Sequence, residues 1–346
     1  MSRMLEEIRQ QPSVLARTLA GEIRQVEKFK KRIAAQRPSL IVLVARGTSD
    51  NAALFGRYLI EILTGIPVSL AAPSITTLYG TPMNYRGALV VAISQSGEST
   101  DTNLVLERAR IGGAVTVGIT NEASSRLAAI AEHVFLVRAG KEKSVAATKT
   151  YTGQMLMLYL LAYALGGGIR IADLERLPEW VDDALRLEQE VAELSERYRF
   201  MRHTVVVGRG LNYANAFEFS LKMMETCYVV AERFSAADFL HGPIAQVEAN
   251  FPVFAFAPAD VTWPSLSETL EKLQGLQAEI VGIADPSNRD LERLATRVIR
   301  LPRRIGKMLT PIPYIVPAQL FSVSLATQKG LDPDQPRTLH KVTLTL

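Results

Sequence analysis

The chain has 346 residues with 39 basic and 35 acidic side chains, a formal net charge of +4, and is too long for one ordinary domain of ~100–200 residues. Its 48% apolar and 21% charged content excludes wholesale disorder. Cys227 alone cannot build a disulfide framework or a thiolate zinc site, and His133, His203, His241 and His340 form no HxH or HExxH pair, so neither a metal nor another cofactor is expected.

Residues 3–32 are polar with apolar positions near helical spacing. They predict an N-terminal helical segment (1–35) whose Lys28, Lys30, Lys31 and Arg32 form a solvated face. Residues 40–45 are continuously apolar, as in a strand covered on both faces. A helix follows over 50–63 through Ala53, Phe55, Leu59 and Ile62. Residues 89–93, 115–119 and 134–137 are further buried strands, with helical segments at 101–109 and 125–131. Together these elements make a first domain, 36–168. The most apolar window, 155–165, is shorter than the ~20 residues a bilayer span needs, and no secretory h-region opens the chain. The expectation is a cytoplasmic protein without a membrane or nucleic-acid partner. Residues 173–198, with a stripe of Leu174, Leu177, Val181, Leu185 and Leu187, predict one helix joining the halves (169–200). A second domain spans 201–330, and a tail, 331–346, has no counterpart between the halves.

The second domain repeats the first. Val42-Leu43-Val44-Ala45-Arg46-Gly47 recurs as Val205-Val206-Val207-Gly208-Arg209-Gly210 at an offset of 163. Val117-Gly118-Ile119 recurs as Val281-Gly282-Ile283, and Val134-Phe135-Leu136-Val137 as Val298-Ile299-Arg300-Leu301, both at 164. Three runs in one register indicate duplication. Alternating strands and helices imply an α/β fold: two doubly wound, flavodoxin-like parallel-sheet subdomains.

Ligands of such sheets sit beyond the carboxyl ends of the strands. After the 89–93 strand comes Ser94-Gln95-Ser96-Gly97-Glu98-Ser99-Thr100, and then a helix. A helix cap needs one hydroxyl. Four hydroxyls plus helix N–H groups fit a phosphate held without lysine or arginine. The matching loop, Phe256-Ala257-Pro258-Ala259-Asp260, lacks the hydroxyls. One phosphate site per chain is expected, at Ser94, Gln95, Ser96 and Ser99, with Thr48 and Ser49 beside it. Gly208-Arg209-Gly210 is not a dinucleotide fingerprint, since Tyr213 stands where a third small residue is required, and Ser96 is not in a GxSxG elbow.

Residues 212–230 predict a helix with Glu218, Lys222 and Glu225 on one face. Its remaining positions are largely apolar, so these charges are buried, where charged groups cluster at functional sites. His241 aligns with Gly80 in the first half and is special to the second.

Gly47-Thr48-Ser49, Ser94-Gln95-Ser96-Gly97-Glu98, Ala146-Ala147-Thr148-Lys149, Leu221-Lys222-Met223-Met224-Glu225, His241-Gly242-Pro243 and Asp334-Gln335-Pro336-Arg337 resemble the sugar isomerase (SIS) family, in order and over nearly the whole chain. The resemblance implies that the 94–99 loop takes a sugar phosphate. It implies that Glu225 is the base moving a proton between C1 and C2, that Lys341 engages the sugar carbonyl, and that His241, from a partner subunit, helps open the ring. Lys222 belongs to the same site, and Gly47, Thr48, Ser49, Val145 and Ala147 border the sugar. A homodimer with shared sites follows.

Arg46, Ala147 and Ser99 depart from the family's cysteine, serine and threonine. No glutaminase domain or N-terminal cysteine nucleophile is seen in the chain, so the expected activity resembles that of stand-alone SIS-type glucosamine-6-phosphate deaminases. A fructosamine-6-phosphate deglycase, another phosphosugar isomerase, or an isomerase module of the glutamine-dependent transaminase kind shares the chemistry. A sugar-phosphate sensor is the non-enzymatic alternative, but residues 1–35 are too short for a helix-turn-helix domain.

Overall fold

The computed structural model describes residues 2–339 and 341; His340 lies outside them. The chain opens with α1 (Arg3–Arg9) and α2 (Gln11–Ala34), which meet at Gln10. The basic stretch of α2 is not wholly solvated: Lys28, Lys31 and Arg32 are exposed, but the Lys30 ammonium sits 3.7 Å from the centre of the Tyr163 ring.

Two compact units follow from the packing. The first comprises residues 13–143 and 147–176, with 339 and 341 of the tail. Its strands are β1 (Leu40–Val44), β2 (Val68–Leu70), β3 (Ala88–Ser94), β4 (Val115–Thr120) and β5 (His133–Leu136), all parallel, in the order β2-β1-β3-β4-β5. Helices α3 (Thr48–Thr64), α4 (Ser74–Thr77), α5 (Thr100–Ile111), α6 (Arg126–Ile130), α7 (Lys149–Ala164) and α8 (Ile171–Leu174) complete it. Alternate strand residues Val42, Val44, Val90 and Ala92 bury one sheet face against Val105, Leu106 and Ala109 of α5. The apolar run at 155–165 belongs to α7, a core helix buried nearly all round. Among the described residues no helix is long and apolar enough to cross a membrane.

The second unit comprises residues 2–12, 144–146 and 177–338. It holds α9 (Leu177–Leu185), α10 (Glu188–Glu196), β6 (His203–Gly208), α11 (Tyr213–Cys227), β7 (Val230–Ser235), α12 (Ala236–Phe239), β8 (Pro252–Phe256), α13 (Trp263–Gly275), β9 (Glu279–Ala284), α14 (Leu291–Leu294), β10 (Arg297–Arg300) and α15 (Pro311–Gln328). The single joining helix expected over 173–198 is instead three short ones, α8, α9 and α10. Pro178, at the second position of α9, lacks an N–H and starts a new helix rather than continuing α8. Before α10 the chain tightens into three-residue turns, Arg186 N–H to Asp183 and Leu187 N–H to Ala184.

This sheet is also parallel, in the order β10-β9-β8-β6-β7, which is the first sheet's order read from the other end. The pair Ile41↔Leu89 between β1 and β3 reappears, 164 residues on, as Val205↔Val253 between β6 and β8. Duplication therefore extends to hydrogen-bond register. The core clusters Phe219, Phe254 and Phe321, with ring centres 4.9–5.8 Å apart. Two edge strands were not evident from hydropathy. β2 has three residues, and β7 includes exposed Val230 and Glu232.

Candidate active site

In the first sheet β1 and β3 are neighbours although β2 intervenes in the chain, so their carboxyl ends form the switch point. The loops leaving them are the Gly47-Thr48-Ser49 turn and the 94–99 loop. Gly47 has φ +57°, a left-handed conformation that glycine adopts without strain, and opens α3. Thr48 is half-buried. Ser49 is buried, and its Oγ accepts a 3.0 Å hydrogen bond from Gln154 Nε2. Ser94, buried at the end of β3, accepts from the Gly97 N–H at 3.1 Å, and Ser96 Oγ accepts from the Glu98 N–H at 3.2 Å. The Gln95 carbonyl accepts from Asn121 N–H at 3.1 Å, while Asn103 Nδ2 donates to the Gly97 carbonyl at 3.0 Å. Gly97 has φ +70°, and a Cβ there would collide with the Ser125 side chain. Ser99 precedes α5 but caps no backbone N–H; its hydroxyl lies 3.0 Å from Thr102 Oγ1. Gln95, Ser96 and Ser99 are half-buried, so polar side chains of this loop reach solvent beside a helix N-terminus, where an anion is favoured.

Elsewhere in the same unit, Lys341 donates to Glu142 Oε2 at 2.9 Å. Glu142 is fully buried and also accepts from Thr148 N–H (3.0 Å), Thr150 N–H (3.1 Å) and Thr150 Oγ1 (2.7 Å). Burial pushes its carboxyl up, but Lys341 and these donors outweigh burial and hold it below its usual value. Sequence reasoning missed Glu142 because nothing in its neighbourhood shows that the tail lysine packs there. Ala147 is half-buried in this unit.

In the second unit α11 carries the ionic face. Lys222 Nζ lies 2.6 Å from Glu225 Oε2 and 3.4 Å from Glu218 Oε1. Side chains of Glu218 and Lys222 are almost completely buried, whereas that of Glu225 is 21% exposed. Burial pulls the Lys222 ammonium down, but the two carboxylates reverse this and raise it above its ordinary value, so Lys222 stays a charged donor. Glu225 is thus oriented by an ammonium at one oxygen and reachable from solvent. α11 stops at Tyr228, whose φ of +54° ends it in a left-handed cap.

His241 is exposed after α12, with its N–H on the Asp238 carbonyl at 3.1 Å, and belongs to neither ionic cluster. Val145 is half-buried in the second unit, next to Ser144, whose N–H donates to Glu7. Asp334, within the tail motif, caps α1 by accepting from Arg3 N–H (2.7 Å), Met4 N–H (2.9 Å) and Ser2 Oγ (3.0 Å).

The SIS domain family matches residues 36–164 and 199–329. This chain belongs to the SIS family. It is 36% identical over 345 residues to a glutamine–fructose-6-phosphate aminotransferase (isomerizing) of Pyrococcus horikoshii, covering 98% of this chain and 57% of that protein. The SIS chain thus spans a little over half the length of that curated relative. The C-terminal domain of glucosamine-fructose-6-phosphate aminotransferase from Francisella tularensis shares the structure with a TM-score of 0.85 and 27% identity, over 97% of this chain and 98% of that one. A glucosamine-6-phosphate deaminase from Thermotoga maritima shares the fold, with a TM-score of 0.80 and 22% identity, over 99% and 100%.

Proposed function

We propose that this SIS-family enzyme is a cofactor-free phosphosugar isomerase/deaminase that converts glucosamine 6-phosphate and water to fructose 6-phosphate and ammonia. The observation that carries the reading is the buried Glu218–Lys222–Glu225 cluster, in which only Glu225 faces outward. Glu225 takes the C2 proton of the open-chain aldehyde while the substrate's ammonium gives a proton to O1, leaving a neutral enaminol, and Glu225 then returns its proton to C1. The resulting C2 iminium is hydrolysed by water, which supplies the ketone oxygen and releases the nitrogen as ammonia. Lys341 and the Gly47–Ser49 turn stabilise the oxygen at C1 as charge develops.

Ser94, Gln95, Ser96 and Ser99 hold the ester phosphate, and Thr48, Ser49, Val145 and Ala147 border the sugar. His241, exposed in its own chain, assists ring opening in a homodimer. A cytoplasmic location suits a sugar-phosphate substrate. The test is to incubate the protein with glucosamine 6-phosphate and assay ammonia and fructose 6-phosphate. Turnover that Glu225→Gln abolishes supports the reading; no turnover, or an unaffected variant, removes it. The 36% identity to an isomerizing aminotransferase favours a second reading, in which the same groups run toward amination. Fructose 6-phosphate with an ammonium salt would then give glucosamine 6-phosphate.

A further inference from the structure

Arg46 stands two residues beyond Val44, the last residue of β1, where β1 and β3 emerge side by side in the register Val44↔Ala92. Its Nε donates to Asp101 Oδ2 at 3.0 Å, and Nη2 donates to the same oxygen. Asp101 is wholly buried in the first turn of α5, directly after the 94–99 loop, whereas half of the Arg46 side chain is exposed. A carboxylate in a first helical turn is favourable for the helix. Beside a phosphate site it has the opposite effect, because it uses the same positive end and repels the dianion.

The second half provides an internal control. Arg209 occupies the equivalent position, but α13 has no acid in its first turn, and Arg209 Nη1 donates to neutral Ser235 Oγ at 2.9 Å. There Asp260, not a serine, stands 164 residues after Ser96. The Arg–Asp pair therefore occurs in the half that has the hydroxyl loop and is missing from the half that lacks it.

We propose that Arg46 is a specificity-determining residue of the phosphate loop. It cancels the Asp101 charge in the first turn of α5, so that the loop keeps the positive helix end for dianionic sugar esters over neutral sugars. This rests on the phosphosugar reading of the loop. The experiment compares wild type with Arg46→Met, Arg46→Lys, Asp101→Asn and the Met/Asn double variant. It reads KM for the sugar phosphate, kcat, and the inhibition constant of inorganic phosphate, with thermal unfolding to confirm folding. Arg46→Met should raise KM and the phosphate inhibition constant about tenfold, with a smaller fall in kcat, because one charge beside a dianion is lost. Arg46→Lys should keep most of the effect, and the double variant should recover to within about threefold of wild type, as coupled charges do. A folded Arg46→Met with both constants within twofold of wild type, or a double variant as weak as the single, overturns the inference. A wild type that neither turns over a sugar phosphate nor is inhibited by phosphate instead overturns the reading of the loop.

Discussion

Two sheets of one strand order carry different chemistry at equivalent places. After β3 the chain presents Ser94, Ser96 and Ser99, and its loop is fixed by Gly97 and Asn103. After β8, Asp260 folds back to accept from Thr262 N–H (2.8 Å) and Oγ1 (2.6 Å), placing a carboxylate where an anion would need donors. The helices after β1 and β6 show the reverse. Glu218, Lys222 and Glu225 of α11 correspond, at the offset of 163, to Phe55, Leu59 and Ile62 of α3. Each half carries what the other lacks: a hydroxyl-rich loop in the first, and a carboxylate paired with a buried lysine in the second. Duplicated scaffolds can divide labour in this way because the sheet core, not the loop chemistry, holds the fold.

The division can be tested half by half. Glu225→Gln keeps shape and removes the base, so kcat should fall about 10²–10⁴-fold with KM little changed, as steady-state kinetics would show. Lys222→Met withdraws the ammonium from between two carboxylates; denaturant unfolding should show a loss of about 3–5 kcal/mol, whereas Leu59→Met, the same place in α3, should cost under about 1.5 kcal/mol. Ser96→Asp gives the first loop the second loop's chemistry and should raise KM for sugar phosphates about 100-fold through charge repulsion, while Asp260→Ser leaves KM unchanged. An equal response from both loops would break the comparison.

The smallest expected effect concerns the tail. Glu142 titrates below its unfolded value, so its contribution is complete above about pH 4.3 and is lost as pH falls through the lower folded value. Glu142→Gln should lower stability by about 1–3 kcal/mol near neutral pH and by progressively less as the pH falls below about 4.3. Thermal unfolding across that range checks it.

Much of this was legible in the residues. Continuous apolar runs mark β1, β3, β4 and β5, and the repeat at 163–164 carries the same topology into a second sheet. The hydroxyl-rich loop is readable because it holds more hydroxyls than a helix cap needs, and the charged triad because charges are improbable on an otherwise apolar helix. What escaped depends on distant partners. β2 and β7 are sheet edges, one too short and one too polar for hydropathy. Glu142 gains meaning from Lys341, 199 positions away, and Asp334 from the first turn of α1. The break at Pro178 lies inside a leucine stripe whose spacing by itself reads as one helix.

In the proposed function the first half binds the ester phosphate and the second half moves the proton. Crystals of the Glu225→Gln protein soaked in glucosamine 6-phosphate test it directly. One ester phosphate per chain is expected, bonded to Ser94, Ser96 and Ser99, with the residue-225 amide toward C1 and C2 of the sugar. Phosphate density at residues 256–262, or a sugar remote from residue 225, would contradict it.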